Sequence, residues 1–367
     1  MRILALEPYY GGSHHAFLDG WSRQSRHDWT LLSLPPYKWK WRMRHAAVTL
    51  ADRVDQLLAE GGRWDLLFCS DMLNLAEFQG LVRRSCDLPT IAYFHENQLT
   101  YPVRFEHERD YQFAMTNMTT ALAADAVWFN SAYHRDSFLS ALEALLRRMP
   151  DYQPLDAVPR IAAKSQVVPP GVDVLPPRGN RPAGPLRILW AARWEHDKNP
   201  EEFFEALTLL KQRGVPFRLS VIGEQFRDVP AVFARAREQF REEIDRWGHQ
   251  PTRSRYEAAL CEADVFVSTA HHEFFGLSAV EAALAGARPV LPRRLAYPEV
   301  FGTENDAFFY EGGAEGLAAR MVRLAEGVAP GDRDLHLLRE RLRCFEWPSL
   351  TSRLDTAAET VWERHQS

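Results

Sequence analysis

Two carboxylates frame the most chemically suggestive run in the chain, His271-His272-Glu273-Phe274-Phe275-Gly276-Leu277-Ser278-Ala279-Val280-Glu281. The run follows a short apolar stretch read as a strand, Asp264–Thr269, and enters an Ala- and Leu-rich stretch read as a helix, Leu277–Ala285. The backbone N–H groups of Phe275, Gly276 and Leu277 would then point out of a helix N-terminus, where unpaired donors and the helix dipole favour an anion such as a diphosphate. Gly276 lets that anion come close. Glu273, just before the helix, is placed to accept hydrogen bonds from sugar hydroxyls, and Glu281 suits a diol such as a ribose. The same spacing also suits a plain cap at Glu273 and a solvated helix residue at Glu281.

Three further clusters bear chemistry. Tyr9-Tyr10-Gly11-Gly12-Ser13-His14-His15 follows the first apolar run, and its glycines allow a tight turn with Ser13 as a helix cap. It lacks the GxGxxG pattern of a dinucleotide site. Phe94-His95-Glu96-Asn97-Gln98-Leu99-Thr100-Tyr101-Pro102 ends a predicted strand, and Glu96, Asn97 and Gln98 form a polar group suited to reading hydroxyls and amines. In Tyr37-Lys38-Trp39-Lys40-Trp41-Arg42-Met43-Arg44-His45, four cations alternate with two tryptophans and a methionine. One reading is an edge or loop segment with inward aromatics and solvated cations. The other is a surface that tracks phosphates and stacks bases of single-stranded or looped RNA. Four phosphate contacts would give a log–log salt slope of roughly −3, from about 0.7 per phosphate.

The elements that must position these residues form an alternation of strands and helices, the rhythm of parallel sheets built from βα units. Strands are predicted at Arg2–Glu7, Trp29–Leu34, Asp65–Ser70, Thr90–His95, Ala126–Asn130 and Gln166–Val168, with helices at Ala46–Glu60 and Ala132–Arg148. The pattern restarts with strands at Leu186–Ala192, Phe217–Ile222, Asp264–Thr269 and Pro289–Leu291 and a helix at Pro200–Arg213. Between the two halves, Leu175–Pro185 holds four prolines and two glycines and reads as a linker. At 367 residues, 46% hydrophobic and 25% charged, the chain has the composition of a soluble two-domain protein. No apolar stretch is long enough to span a bilayer, and the first residues are too short and polar for a signal peptide. Cys69, Cys86, Cys261 and Cys344 lack CxxC spacing, which points to reduced thiols in the cytoplasm and away from a zinc site. A net charge of −5 excludes a protein basic all over, and any polyanion site must be a local patch.

Glu273 and Glu281 around Phe275-Gly276-Leu277 resemble the E-x7-E signature of retaining GT-B glycosyltransferases. Ala191-Ala192-Arg193-Trp194-Glu195-His196-Asp197-Lys198-Asn199-Pro200 is similar to the segment of that family whose Arg and Lys hold the donor diphosphate. The resemblance implies two Rossmann-like α/β domains facing a central cleft. It implies that Glu273 contacts the donor sugar, Glu281 the ribose, and Arg193 and Lys198 the leaving diphosphate, with no metal and no cofactor beyond the donor. His95 matches the family histidine near the donor sugar, and the loop with Gly12 and Ser13 matches the one facing the diphosphate.

The glycine loop, the Lys38–Arg44 run, the Phe94–Pro102 segment and Ile222-Gly223-Glu224-Gln225-Phe226 together resemble the tRNA-queuosine α-mannosyltransferase family over nearly the whole chain. That resemblance implies GDP-mannose as donor and, as acceptor, the queuosine cyclopentenediol at the anticodon wobble position of an aspartate tRNA. It assigns residues 1–175 to acceptor binding and 186–345 to the nucleotide sugar, with 346–367 forming a helix that crosses back to the first domain. Lys38, Trp39, Lys40, Trp41, Arg42, Arg44, Glu96, Asn97 and Gln98 become acceptor residues. The acidic overall charge departs from this picture by giving little long-range steering toward RNA. Two other readings stay open: a GT-B transferase acting on a glycan or small molecule, and a non-catalytic RNA-binding module on a transferase scaffold.

Overall fold

The computed structural model describes residues 1–82, 87–102, 110–175, 184–226, 228–327 and 332–366. Cys86 and positions 176–183 of the proline-rich linker lie outside them. The chain forms two compact units, one of Met1–Gly171 with Trp347–Ser367 and one of Val172–Glu346.

The first unit is a six-stranded parallel sheet of β1 (Arg2–Glu7), β2 (Asp28–Ser33), β3 (Leu66–Ser70), β4 (Thr90–Phe94), β5 (Ala126–Phe129) and β6 (Ser165–Val167), in the order β2-β1-β3-β4-β5-β6. Its central strands are near-continuous apolar runs because both faces are covered. Alternate residues feed two cores. Leu4, Leu6, Leu67, Cys69, Ala92, Phe94, Val127 and Phe129 pack with helices Trp39–Ala59, Leu75–Leu81, Tyr111–Ala123, Ala132–Arg147 and Ala157–Ala163. Ile3, Ala5, Leu66, Phe68, Ile91, Tyr93, Ala126 and Trp128 pack on the other face with helices Gly12–Gln24 and Trp347–Gln366. The last helix is locked to the first by Asp355, which accepts from Trp21 Nε1 at 2.7 Å, Ser25 Oγ at 2.7 Å and Arg26 N at 2.9 Å.

The second unit repeats the design with β7 (Leu186–Ala191), β8 (Phe217–Ile222), β9 (Ile244–Gly248), β10 (Val265–Val267), β11 (Arg288–Pro292) and β12 (Phe309–Tyr310), in the order β12-β11-β10-β7-β8-β9. Where the chain enters and leaves this unit, Val172 and Glu346 pair as an isolated bridge.

In each sheet the first strand has its successor on one side and a later strand on the other. The switch points lie between β1 and β3 and between β7 and β10, and ligands bind beyond the C-terminal strand ends at such points. Two local expectations are corrected. Helix Gly12–Gln24 has Gly11 as its cap with no side-chain bond, so Ser13 lies within the helix and does not cap it. The cation–tryptophan run is neither loop nor edge: the helix predicted from Ala46 begins at Trp39, after Lys38 in a left-handed conformation.

Candidate active site

At the second unit's switch point, the loop after β7 carries Arg193 and a single 3-10 turn, His196–Lys198, and the loop after β10 carries His272 and Glu273. The loops are tied together: His271 N donates to Asp197 O at 2.7 Å and Thr269 Oγ1 to Lys198 O at 2.8 Å. Lys198 is buried, with Nζ donating to His272 O at 2.7 Å and lying 3.1 Å from Asp197 Oδ2 and 3.4 Å from Glu273 Oε2. Burial pushes its ammonium down, but the Glu273 and Asp197 carboxylates more than reverse this, so the lysine stays charged. Burial alone would raise Glu273, and Lys198 carries it below its ordinary value. His272 is lowered to about 4 by burial and by the Lys198 charge, so this imidazole is neutral at pH 7. Arg193 pairs with Glu195 at 3.3 Å and keeps more than a third of its side chain exposed.

Glu273 also organises the helix that follows. Its Oε1 accepts from Gly276 N at 3.3 Å, so this amide is engaged by the protein, while helix Leu277–Ala285 starts directly after it. Gly276 has φ +91, and a Cβ there would lie 2.7 Å from Tyr297 Cε1. Only glycine satisfies both constraints. Phe275 is buried edge-on against Phe345, with ring centroids 5.1 Å apart. A buried cation, a second half-exposed one and a helix N-terminus converge, which is the chemistry of a diphosphate site. One turn and more into the helix, both Glu281 oxygens have partners: Arg253 Nη2 donates to Oε1 at 2.7 Å and Tyr256 OH to Oε2 at 2.6 Å. Each carboxylate oxygen has a second lone pair, so the pair of oxygens stays able to accept from a diol.

The first unit's switch point holds a denser polar cluster than the sequence reading assigned. His95 is there, with its N donating to Asp71 Oδ1 at 2.9 Å and its O accepting from Asn130 Nδ2 at 2.9 Å. Glu7, at the end of β1, accepts from Tyr9 N at 2.8 Å and Ser70 Oγ at 3.0 Å and faces His14 Nδ1 at 3.1 Å. Glu7, His14 and Asp71 were absent from the predicted site. Their signal was positional: each sits at or just past the C-terminal end of an apolar parallel strand, or opens the next helix, where a polar residue is otherwise unexplained. Asn97 Oδ1 accepts from the N–H groups of Leu99 at 3.1 Å and Thr100 at 2.9 Å, which shapes the loop. Gln98 Nε2 donates to Glu96 Oε1 at 3.2 Å.

The predicted acceptor run forms the first turns of helix Trp39–Ala59. Trp39 turns inward beside Met43 and Phe113, and Trp41, 60% exposed, stacks on His45 one turn later at 4.9 Å. The four cations differ in what holds them. Arg42 Nε donates to Pro35 O at 3.0 Å, and Arg44 pairs with Asp110 at 3.2 Å and lies over the Phe113 ring. Lys38 and Lys40 are exposed, each over a neighbouring aromatic ring, Tyr37 and Trp39 respectively. Gly12 and Ser13 are exposed at the start of the first helix.

Residues 2–172 match the N-terminal domain of tRNA-queuosine alpha-mannosyltransferase, and residues 173–329 match group 1 glycosyl transferases. A tRNA-queuosine alpha-mannosyltransferase from Drosophila melanogaster is 36% identical over 316 residues, 83% of this chain and 82% of that protein. The chain belongs to the tRNA-queuosine alpha-mannosyltransferase family. It is a catalytic glycosyltransferase of the GT-B type, a two-domain fold of parallel sheets flanked by helices. Sucrose-phosphate synthase from Thermosynechococcus elongatus superposes with a TM-score of 0.73 at 16% identity, covering 99% of this chain and 100% of that one. HepE from Anabaena, in complex with UDP, gives 0.70 at 14%, covering 98% and 100%. The family's N-terminal match spans Glu7, His14, Lys38–Arg44, Asp71 and His95, and the group 1 match spans Arg193, Lys198, Glu273 and Glu281. Among the described residues, no helix is long and apolar enough to cross a membrane.

Proposed function

We propose that this member of the family transfers mannose from GDP-mannose to the cyclopentenediol of queuosine at the wobble position of an aspartate tRNA, retaining the anomeric configuration. The family relationship across the first unit carries the acceptor. The buried Lys198, paired with the Glu273 that also holds the helix N-terminus, carries the donor chemistry. Lys198 and Arg193 neutralise the diphosphate as its bond to the sugar breaks, and the N–H groups opening helix Leu277–Ala285 add fixed dipoles aimed at the same charge. Glu273, already oriented by Lys198 and Gly276 N, keeps lone pairs for the mannose hydroxyls. Glu281, oriented by Arg253 and Tyr256, receives the ribose diol.

The acceptor oxygen attacks the sugar carbon on the face the diphosphate leaves. Its proton passes to a phosphate oxygen of the departing group, so the protein need not supply a base. His95 meets the sugar or the positive charge that develops on it. Glu96 and Gln98 lie next to it in the chain and read the acceptor, on a loop shaped by the fully buried Asn97. Lys38, Lys40 and Trp41, with Arg42 and Arg44 behind them, dock the RNA. The reaction takes place in the cytoplasm.

Mass spectrometry of nucleosides from queuosine-containing tRNA, incubated with the protein and a panel of sugar nucleotides, tests this reading. A hexose-sized gain on queuosine with GDP-mannose alone is the expected result. A gain with another donor overturns the sugar assignment, and transfer only to a glycan or small molecule overturns the acceptor.

A further inference from the structure

The cluster at the ends of β1, β3 and β4 contains more order than a loop junction requires. Glu7 is fully buried, and Ser70, Tyr9 and His14 hold both its oxygens. The His14 ring lies over the His95 ring with centroids 3.9 Å apart and planes tilted by 32°. Tyr93 and Phe17 confine His95 from two further directions, at 4.6 and 5.5 Å. Asp71 and Asn130 pin its backbone on either side. Within this cage, His95 Nε2 is buried and has no hydrogen-bond partner among the described residues. Buried polar atoms are almost always bonded, so an orphan in so fixed a ring is a group reserved for something that binds.

One alternative is a metal ion, since ligand atoms of Glu7, His14 and His95 lie within 4.8 Å of one another. The ring geometry disfavours it. Two imidazoles on a tetrahedral ion at about 2.0–2.1 Å would hold their centroids about 5 Å apart and splayed. These rings lie face over face at 3.9 Å.

We propose that Glu7 and His14 are positioning residues for His95, a buried hydrogen-bonded pair that fixes its ring orientation and governs its protonation. The proposal rests on the reading of His95 as a group that meets the substrate. Its electrostatics are consistent. Burial alone would lower His14, but the Glu7 carboxylate, by charge and hydrogen bond, lifts it to about 9. His95 is driven well down, by burial first and then by the charges of His14 and His134. Glu7 and Glu96 lie on the acidic side of the cluster, while burial raises Asp71 to about 8 against the pull of His14, so this carboxyl is mostly protonated at neutral pH. The working state near neutral pH is therefore a cationic His14 held against Glu7 and a neutral His95. A neutral imidazole offers one donor and one acceptor, where a cation stacked on a cation would repel.

The double variant Glu7→Gln/His14→Gln keeps a side-chain hydrogen bond but removes both charges. In the full chain, the acid limb of kcat/KM for mannosyl transfer to queuosine tRNA should move to higher pH than in wild type, because His95 loses the opposing His14 charge and protonates more readily. A purely structural role for the pair would lower the melting temperature and leave the shape of the pH profile unchanged, and that result overturns the inference. If the double variant does not fold, the histidine Cε1–H resonances of the wild-type protein decide. His14 should stay protonated through neutrality while His95 does not titrate, and a neutral His14 at pH 7 overturns the inference. His95→Gln separates the two readings. Wild-type rates in that variant overturn the role of His95 itself. A crippled His95→Gln beside an unshifted double variant overturns only the part given to Glu7 and His14.

Discussion

Replacing Lys198 with Met removes the charge and keeps most of the buried stem, so the effect isolates electrostatics from packing. In the native protein the ammonium lies 3.1 Å from Asp197 and 3.4 Å from Glu273. At an effective dielectric near 20, each contact is worth about 5 kcal/mol, largely offset by removing three charges from water. Breaking such a cluster from one side leaves two carboxylates without their cation, and the cost to stability is about 3–5 kcal/mol. Glu273 and Asp197 sit below their ordinary values of 4.5 and 3.8 because of Lys198, so their contribution is present above those values and lost as pH falls through the native ones. Lys198 is raised above 10.5, so its contribution is complete below that pH and lost only as pH rises through the native value. The native pair therefore supports the fold from about pH 5 to about pH 10, and the variant should lose this plateau.

For catalysis, the loss of one preorganised cation at the departing diphosphate should cost roughly 100- to 1000-fold in turnover, about 2.7–4 kcal/mol. The assay is the initial rate of mannose transfer at saturating GDP-mannose, at a temperature where thermal melting shows the variant folded. Turnover within tenfold of wild type in a folded Lys198→Met protein would refute the placement of Lys198 at the leaving group. Glu273→Ala should lose at least roughly 100-fold on the same assay.

Gly276→Ala should lose both stability and activity, because φ +91 strains any side chain by about 1–2 kcal/mol and its Cβ would meet Tyr297. Thermal melting and turnover check it, and a variant equal to wild type in both would be the contrary result. The tRNA affinity should fall with a log–log salt slope of about −1.4 from Lys38 and Lys40, rather than the −3 of four free cations, since Arg42 and Arg44 already have protein partners. Filter binding across a salt series measures that slope, and Trp41→Ala should weaken binding by about 1–3 kcal/mol at every salt concentration if a base stacks on it. Trp347→Ala empties the slot over Gly20 and Gly171 and should destabilise the protein by about 3–5 kcal/mol in denaturant melts.

Much of the scaffold was legible residue by residue. Runs such as Leu66–Ser70 and Thr90–Phe94 are near-continuously apolar and buried at every position, and that is the mark of a parallel strand covered on both faces. Leu277–Ala285 was legible because a glycine precedes it and another follows it. The start of helix Trp39–Ala59 was not, since Lys38 offers no capping side chain and the Lys/Trp alternation mimics a strand's period of two. Glu273 stands out by its place just before a predicted helix, whereas Lys198 and His95 stand out only through the family resemblance of the runs that hold them.

The sequence by itself determined where the strands other than β9 and β12 form, that polar groups follow them at Lys198, Glu273 and His95, and which family's chemistry they resemble. Those features are local: residue type and near-neighbour spacing carry them. Only the tertiary structure decided what each group faces. Arg253 reaches Glu281 across 28 positions, Asp71 meets His95 across 24, and the rings of His14 and His95 stack from different elements. Strand order creates those meetings, by placing β1 beside β3 and β7 beside β10, and strand order is a product of packing that no short window of sequence contains.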